Sequence, residues 1–133
     1  MKRLIWGTLT IMMLVMAGCG SGSFFISIGT FSPPSITSSQ FSQDRVNRFI
    51  DGSIDFFDPD GDLDTMTVTV INSRGSIVYQ KITFVNLAGV VTGTIPFFID
   101  YITFPPDVYT LTIYLIDLFG HFSNQVVITF SVP

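Results

Sequence analysis

Glutamate is absent from this sequence, and cysteine, histidine and tryptophan occur once each. Each shortage closes off a class of behaviour. With Cys19 alone, no disulfide can form within the chain. General acid–base work at neutral pH draws on His or on a Glu of shifted pKa, and His121, read as a solvated loop residue, is all that remains; catalysis is not expected. The missing Glu is also a missing helix former, which fits a chain poor in helix. Basic residues are scarce as well. Beyond Lys2 and Arg3 there are four, Arg45, Arg48, Arg74 and Lys81, against ten acidic residues that are all Asp, a net charge of −6 for that part of the chain. Phosphate contacts need a basic patch, so nucleic acid is not an expected partner.

What is present begins with a leader. Lys2 and Arg3 precede an apolar run at residues 4–16, followed by the small residues Ala17 and Gly18 and then Cys19. The run is short of the roughly 18 residues that a membrane-spanning helix requires, and it ends as a cleaved export signal does. Residues 15–19, Val-Met-Ala-Gly-Cys, resemble a bacterial lipobox, with Met16 standing where Leu is usual. That resemblance implies cleavage after residue 18 and acylation of Cys19, the palmitate type of modification, as the new N-terminus. Each buried methylene contributes about 0.8 kcal/mol, so two or more chains hold a protein on a membrane with no transmembrane helix. Gly20 rather than Asp follows the cysteine. By the same resemblance the destination is the cell envelope, and the outer membrane if the cell is Gram-negative.

After the leader, residues 19–41 are rich in Ser and Gly and carry Pro33-Pro34, which reads as a tether behind the lipidated cysteine. Alternation of Phe24, Ile26 and Ile28 leaves a first strand there as the other reading. Residues 42–133 form one domain. In it, apolar and polar residues alternate with a period of two, and β-branched and aromatic side chains dominate. Residues 65–71, TMTVTVI, place Met66, Val68 and Val70 on a core face and Thr65, Thr67 and Thr69 toward solvent. The turn Asn72-Ser73-Arg74-Gly75 returns the chain in a hairpin. Ile50, Ile54 and Phe56 point inward from an earlier strand; Tyr109, Leu111, Ile113 and Leu115, then Val126, Ile128, Phe130 and Val132, do so later. Pro96 confines its strand to an edge or a strand end. Six strands, with a short seventh near Phe41, predict an all-β, antiparallel two-sheet sandwich.

Residues 58–78, DPDGDLDTMTVTVINSRGSIV, and 107–132, DVYTLTIYLIDLFGHFSNQVVITFSV, resemble bacterial immunoglobulin-like or fibronectin-III-like domains, with a fainter likeness to cadherin-like repeats. His121 stands where the closing pattern of such modules has Asn. The resemblance implies a display or contact role, and it makes Tyr109 a candidate tyrosine corner whose phenol bonds back to upstream backbone. With no Trp beyond Trp6 and no disulfide, Phe has to fill the volume that those groups occupy in antibody domains.

The stretch DPDGD at residues 58–62 is a turn by its Pro, Asp and Gly, and a candidate Ca²⁺ site by its carboxylates. Asp58, Asp60 and Asp62 alternate along a bent loop and can face one cation. This is not an EF-hand, since Gly61 comes too early and Thr69 stands where the bidentate Glu belongs. In the resembling fold, the loop from Asp117 to Asn124 lies at the same end, so Asp117 or Asn124 can complete the shell. Phe119 and Phe122 offer an apolar loop tip, suited to a protein contact or to packing. The functional expectation is a membrane-anchored, extracytoplasmic, non-catalytic module for adhesion or envelope scaffolding. The alternatives are Ca²⁺ or carbohydrate binding, with a protein or glycan partner, and an accessory subunit of a secretion or surface assembly.

Overall fold

The computed structural model describes residues 31–133. The leader, Cys19 and the alternation at residues 24–29 lie outside the described residues.

Seven strands run in chain order: β1 (Ser35–Asp44), β2 (Phe49–Phe57), β3 (Leu63–Ile71), β4 (Ile77–Phe84), β5 (Thr92–Asp100), β6 (Asp107–Asp117) and β7 (Val126–Val132). They build two antiparallel sheets, of order β1-β2-β5 and β4-β3-β6-β7. The chain crosses between sheets after β2, after β4 and after β5, so neither sheet is a simple meander. Alternation decides which side of each strand is buried: Ile50, Ile54 and Phe56 from β2, Met66, Val68 and Val70 from β3, and Leu111, Ile113 and Leu115 from β6 all meet in one core. This is the all-β two-sheet sandwich of immunoglobulin-like layout that the alternation predicts.

Aromatic rings close the core at one end. Tyr101, Phe104, Tyr109 and Phe130 pack with centroids 5.1 to 6.4 Å apart. The Tyr109 hydroxyl donates to the Pro105 carbonyl at 2.7 Å, the tyrosine corner. Tyr101, which the pattern does not single out, donates to the Asp44 carbonyl at 3.0 Å and so ties β5 to the end of β1.

Two details differ from the sequence expectation. The sandwich begins at Ser35 rather than at residue 42, because β1 pairs with β2 from Ser35↔Phe57 to Asp44↔Phe49. Its residues resemble a tether because β1 is an edge strand that supplies ladder hydrogen bonds while burying little beyond Ile36. Asn124 then clips it to the other sheet, accepting from the Ile36 amide at 2.7 Å and donating to its carbonyl at 3.0 Å. Second, Thr65 and Thr67 do not face solvent; they are 7% and 1% exposed. Thr67 lies between Ile82 and Tyr114, and Thr65 between Phe84 and Ile116, so larger neighbours on the same face cover both. The strand holding Pro96, β5, lies on a sheet edge, as the proline requires.

Two glycines in the smaller sheet permit close approach. Gly52 pairs with Phe97, and Gly93 with Phe56. A Cβ on Gly52 would run into the Gln40 carbonyl oxygen and meet the Phe97 ring at 2.6 Å, and one on Gly93 would meet the Phe56 ring at 2.9 Å. Each phenyl ring thus lies over the glycine opposite it.

Candidate functional site

Two outer faces and one buried cluster stand out among the described residues. The buried cluster lies at the end where β2 turns into β3. Pro59 and Asp60 form the turn, Gly61 takes a φ of 65°, and the Gly61 amide donates to the Asp58 carbonyl at 3.2 Å. The turn is fastened on two sides. Asp58 N donates to Val91 O at 2.7 Å, Gly89 N to Gly61 O at 2.7 Å, and Leu118 N to Asp62 O at 3.0 Å.

The residues expected to hold a cation, Asp58, Asp60 and Asp62 with Asp117 or Asn124, have different environments. Asp58 is fully buried; its Oδ2 accepts the Asp62 amide at 2.9 Å and its Oδ1 has no partner. Asp62 has both oxygens shielded from solvent and neither is hydrogen-bonded. Burial, with the charges of Asp58, Asp117 and Asp60 behind it, pushes the Asp62 carboxyl above the ordinary carboxylate value. Asp60 is exposed and accepts the Ser32 amide. Asp117 is buried, but its oxygens are engaged: Oδ1 accepts the Phe119 and His121 amides at 2.9 and 2.8 Å, and Oδ2 meets His121 Nδ1 at 2.7 Å. Burial alone would raise the Asp117 carboxyl; the His121 amide and ring and the Phe119 amide outweigh it and hold the value below the usual range. Asn124 is committed to β1. Among the described residues, no group of three or more His, Cys, Asp or Glu side chains is arranged as a formed metal set.

His121 is therefore a partner of Asp117 rather than a free loop residue, although its side chain keeps 42% of its exposure. The spacing Asp-x-x-x-His with a glycine between is the signal for such a closed loop, and it stands in the sequence as DLFGH. Phe119 stacks on Phe31 at 3.9 Å, and Phe122 lies 5.7 Å from Tyr114; both remain more than half exposed.

The outer faces of the two sheets differ in chemistry. In register with the outward Thr65, Thr67, Thr69 and Ile71 of β3 stand Phe84, Ile82, Gln80 and Ile77 of β4 and Ile116, Tyr114, Thr112 and Thr110 of β6. No charged side chain is in register on this face, and Lys81, opposite core-facing Val68, points the other way. Ile77, Ile82, Phe84 and Val127 are 57% to 76% exposed. On the smaller sheet the outward positions of β2 include Asp51, Ser53 and Asp55, with Ser38 and Thr94 both donating to Asp55.

Between the edge strands β4 and β5 the sandwich opens into a groove of about 280 Å³, lined by Met66, Tyr79, Lys81, Thr83, Phe97 and neighbours. No tyrosine is exposed: Tyr101 and Tyr109 are buried, and Tyr79 and Tyr114 half-buried. Among the described residues no helix is long and apolar enough to cross a membrane.

No family model matches the chain, and no curated protein matches it. Solved structures similar to it include the following two. One is the β-glucuronidase of Parabacteroides merdae, at 15% identity and a TM-score of 0.45, over 74% of this chain; the chain spans only 14% of the length of that enzyme. The other is a DUF3244 family protein with an immunoglobulin-like β-sandwich fold from Bacteroides vulgatus ATCC 8482, at 15% identity and a TM-score of 0.37, covering 74% of this chain and 98% of that one. The fold assignment made above stands on this chain's own strand order and register.

Proposed function

We propose that this chain is a lipid-anchored, extracytoplasmic module of a bacterial envelope that works by contact rather than catalysis, in adhesion or scaffolding. The leader ending in Cys19 supports the anchor, and the immunoglobulin-like sandwich supports a display role. The observation that carries the contact reading is the uncharged outer face of the β4-β3-β6-β7 sheet. Single exposed apolar residues are ordinary, but the neighbouring Ile82 and Phe84, bordered by threonines and with Ile77 beyond Gln80, mark an interaction surface. The occupant is a protein surface, because a flat aliphatic face without exposed Tyr or Trp suits neither sugar stacking nor a small ligand.

Two measurements test it. Fractionation of cells should find the full-length chain with the membranes and the Cys19→Ser variant released; persistence of that variant in the membrane fraction contradicts the anchor. The double variant Ile82→Asp, Phe84→Asp replaces exposed side chains, so it should change stability by only about 0.5 kcal/mol per site while abolishing retention of the partner. Unchanged retention contradicts the assigned face.

A further inference from the structure

The cluster at the β2–β3 turn buries carboxyl oxygens that have no partner among the described residues. Three carboxylate oxygens, Asp58 Oδ1 and both of Asp62, are shielded from solvent without a hydrogen-bond partner. An ionised carboxylate in that condition is among the most costly groups that a fold can bury. Among the described residues no Lys or Arg pairs with either, and the ion pair found there, His121 with Asp117, is spent elsewhere. Asp117 and Asp60 add further negative charge nearby while keeping their own partners.

The geometry points to a single Ca²⁺ bound by Asp58 and Asp62. Two carboxylates balance a divalent charge. Carboxylate oxygens are hard donors that suit Ca²⁺ and Mg²⁺ over softer metals. Ca²⁺ is favoured of the two, since it accepts an irregular shell of carboxylate, carbonyl and water oxygens, whereas Mg²⁺ demands near-ideal octahedral geometry. The turn is built before the ion arrives: the Asp62 amide is held by Asp58 Oδ2, and Gly61 is packed with the Gly89 backbone 3.1 Å from where its Cβ would be. Asp117 is no ligand here, because its oxygens already close their own loop. With two protein carboxylates the affinity belongs with extracellular modules, at about 10⁻⁴ to 10⁻³ M.

The experiment is thermal unfolding and calorimetric titration of the full chain, purified in detergent and stripped with EDTA, with CaCl₂ and MgCl₂ in parallel. One Ca²⁺ per chain and a melting temperature higher by about 5 to 10 °C at ten times the Kd are expected, with a smaller response to Mg²⁺. Asp62→Asn should remove the Ca²⁺ response yet melt higher than the parent in EDTA, because the amide relieves an unpaired buried charge; a merely structural aspartate would melt lower. Asp60→Asn should keep the Ca²⁺ response. A parent protein with no Ca²⁺ heat and an unchanged melt overturns the site. So does a response that survives Asp62→Asn, or one that Mg²⁺ matches.

Discussion

The two outer faces of this sandwich divide the surface chemistry between them. The β1-β2-β5 sheet faces outward with Asp51 and Asp55 among serines, threonines and the exposed rings of Phe57 and Phe98, while the β4-β3-β6-β7 sheet presents Ile77, Ile82, Phe84 and Val127 and no charge in register. Both sheets share one core, so stability does not require the difference. A chain with ten Asp and four basic residues beyond the leader could have spread charge over both faces. Leaving one face bare carries a risk of aggregation, and a persistent contact removes that risk.

Four changes, with Gln40→Asp as a control for the first, probe the contrast, the largest effect first. Thr67→Asp would place a carboxylate at a site 1% exposed between Ile82 and Tyr114, and denaturant melts should show a loss on the order of 3 kcal/mol. Gln40→Asp, at an exposed position on the opposite face, should stay within about 0.5 kcal/mol; equal costs would erase the distinction. Gly52→Ala forces a Cβ against the Gln40 carbonyl and the Phe97 ring and should cost about 1 to 3 kcal/mol, read in the same melts. Tyr109→Phe removes the hydroxyl that holds Pro105 and should cost about 1 kcal/mol; no change would make it an ordinary core ring.

The last concerns pH. Hydrogen bonds from Ser38 and then Thr94 hold the Asp55 carboxyl below its ordinary value, and bonds from Asn47 do so for Asp44. A carboxylate depressed in the folded state contributes stability above its unfolded pKa, about 3.9, and loses it as pH falls through the folded value. The smaller sheet should therefore weaken below about pH 4, and Asp55→Asn should make the acid limb of a stability-versus-pH curve shallower. On the larger sheet Asp107 and Asp117 are held low in the same way, at the two ends of β6 rather than on its outer face.

Strands whose apolar residues alternate were legible in the sequence. β2, β3, β6 and β7 bury the residues that their period assigns, and Pro96 marks an edge. Tyr109 was readable because its partner, Pro105, is four residues upstream. Features that depend on distant neighbours were not readable. Thr67 is buried by side chains from β4 and β6, and β1 is a strand only because β2 and Asn124 hold it. The candidate ion site was half legible. Composition brought Asp58 and Asp62 forward, but only the fold shows that Asp60 is exposed, that Asn124 is taken by β1, and that Asp117 is closed on its own loop.

The most direct test is site-specific photo-crosslinking in intact cells, with a photoreactive residue at Ile82 on the bare face or at Gln40 on the charged one. The expected result is a discrete protein adduct from position 82 and none from position 40. Adducts from position 40 alone, or from neither, would contradict a contact made through the uncharged sheet.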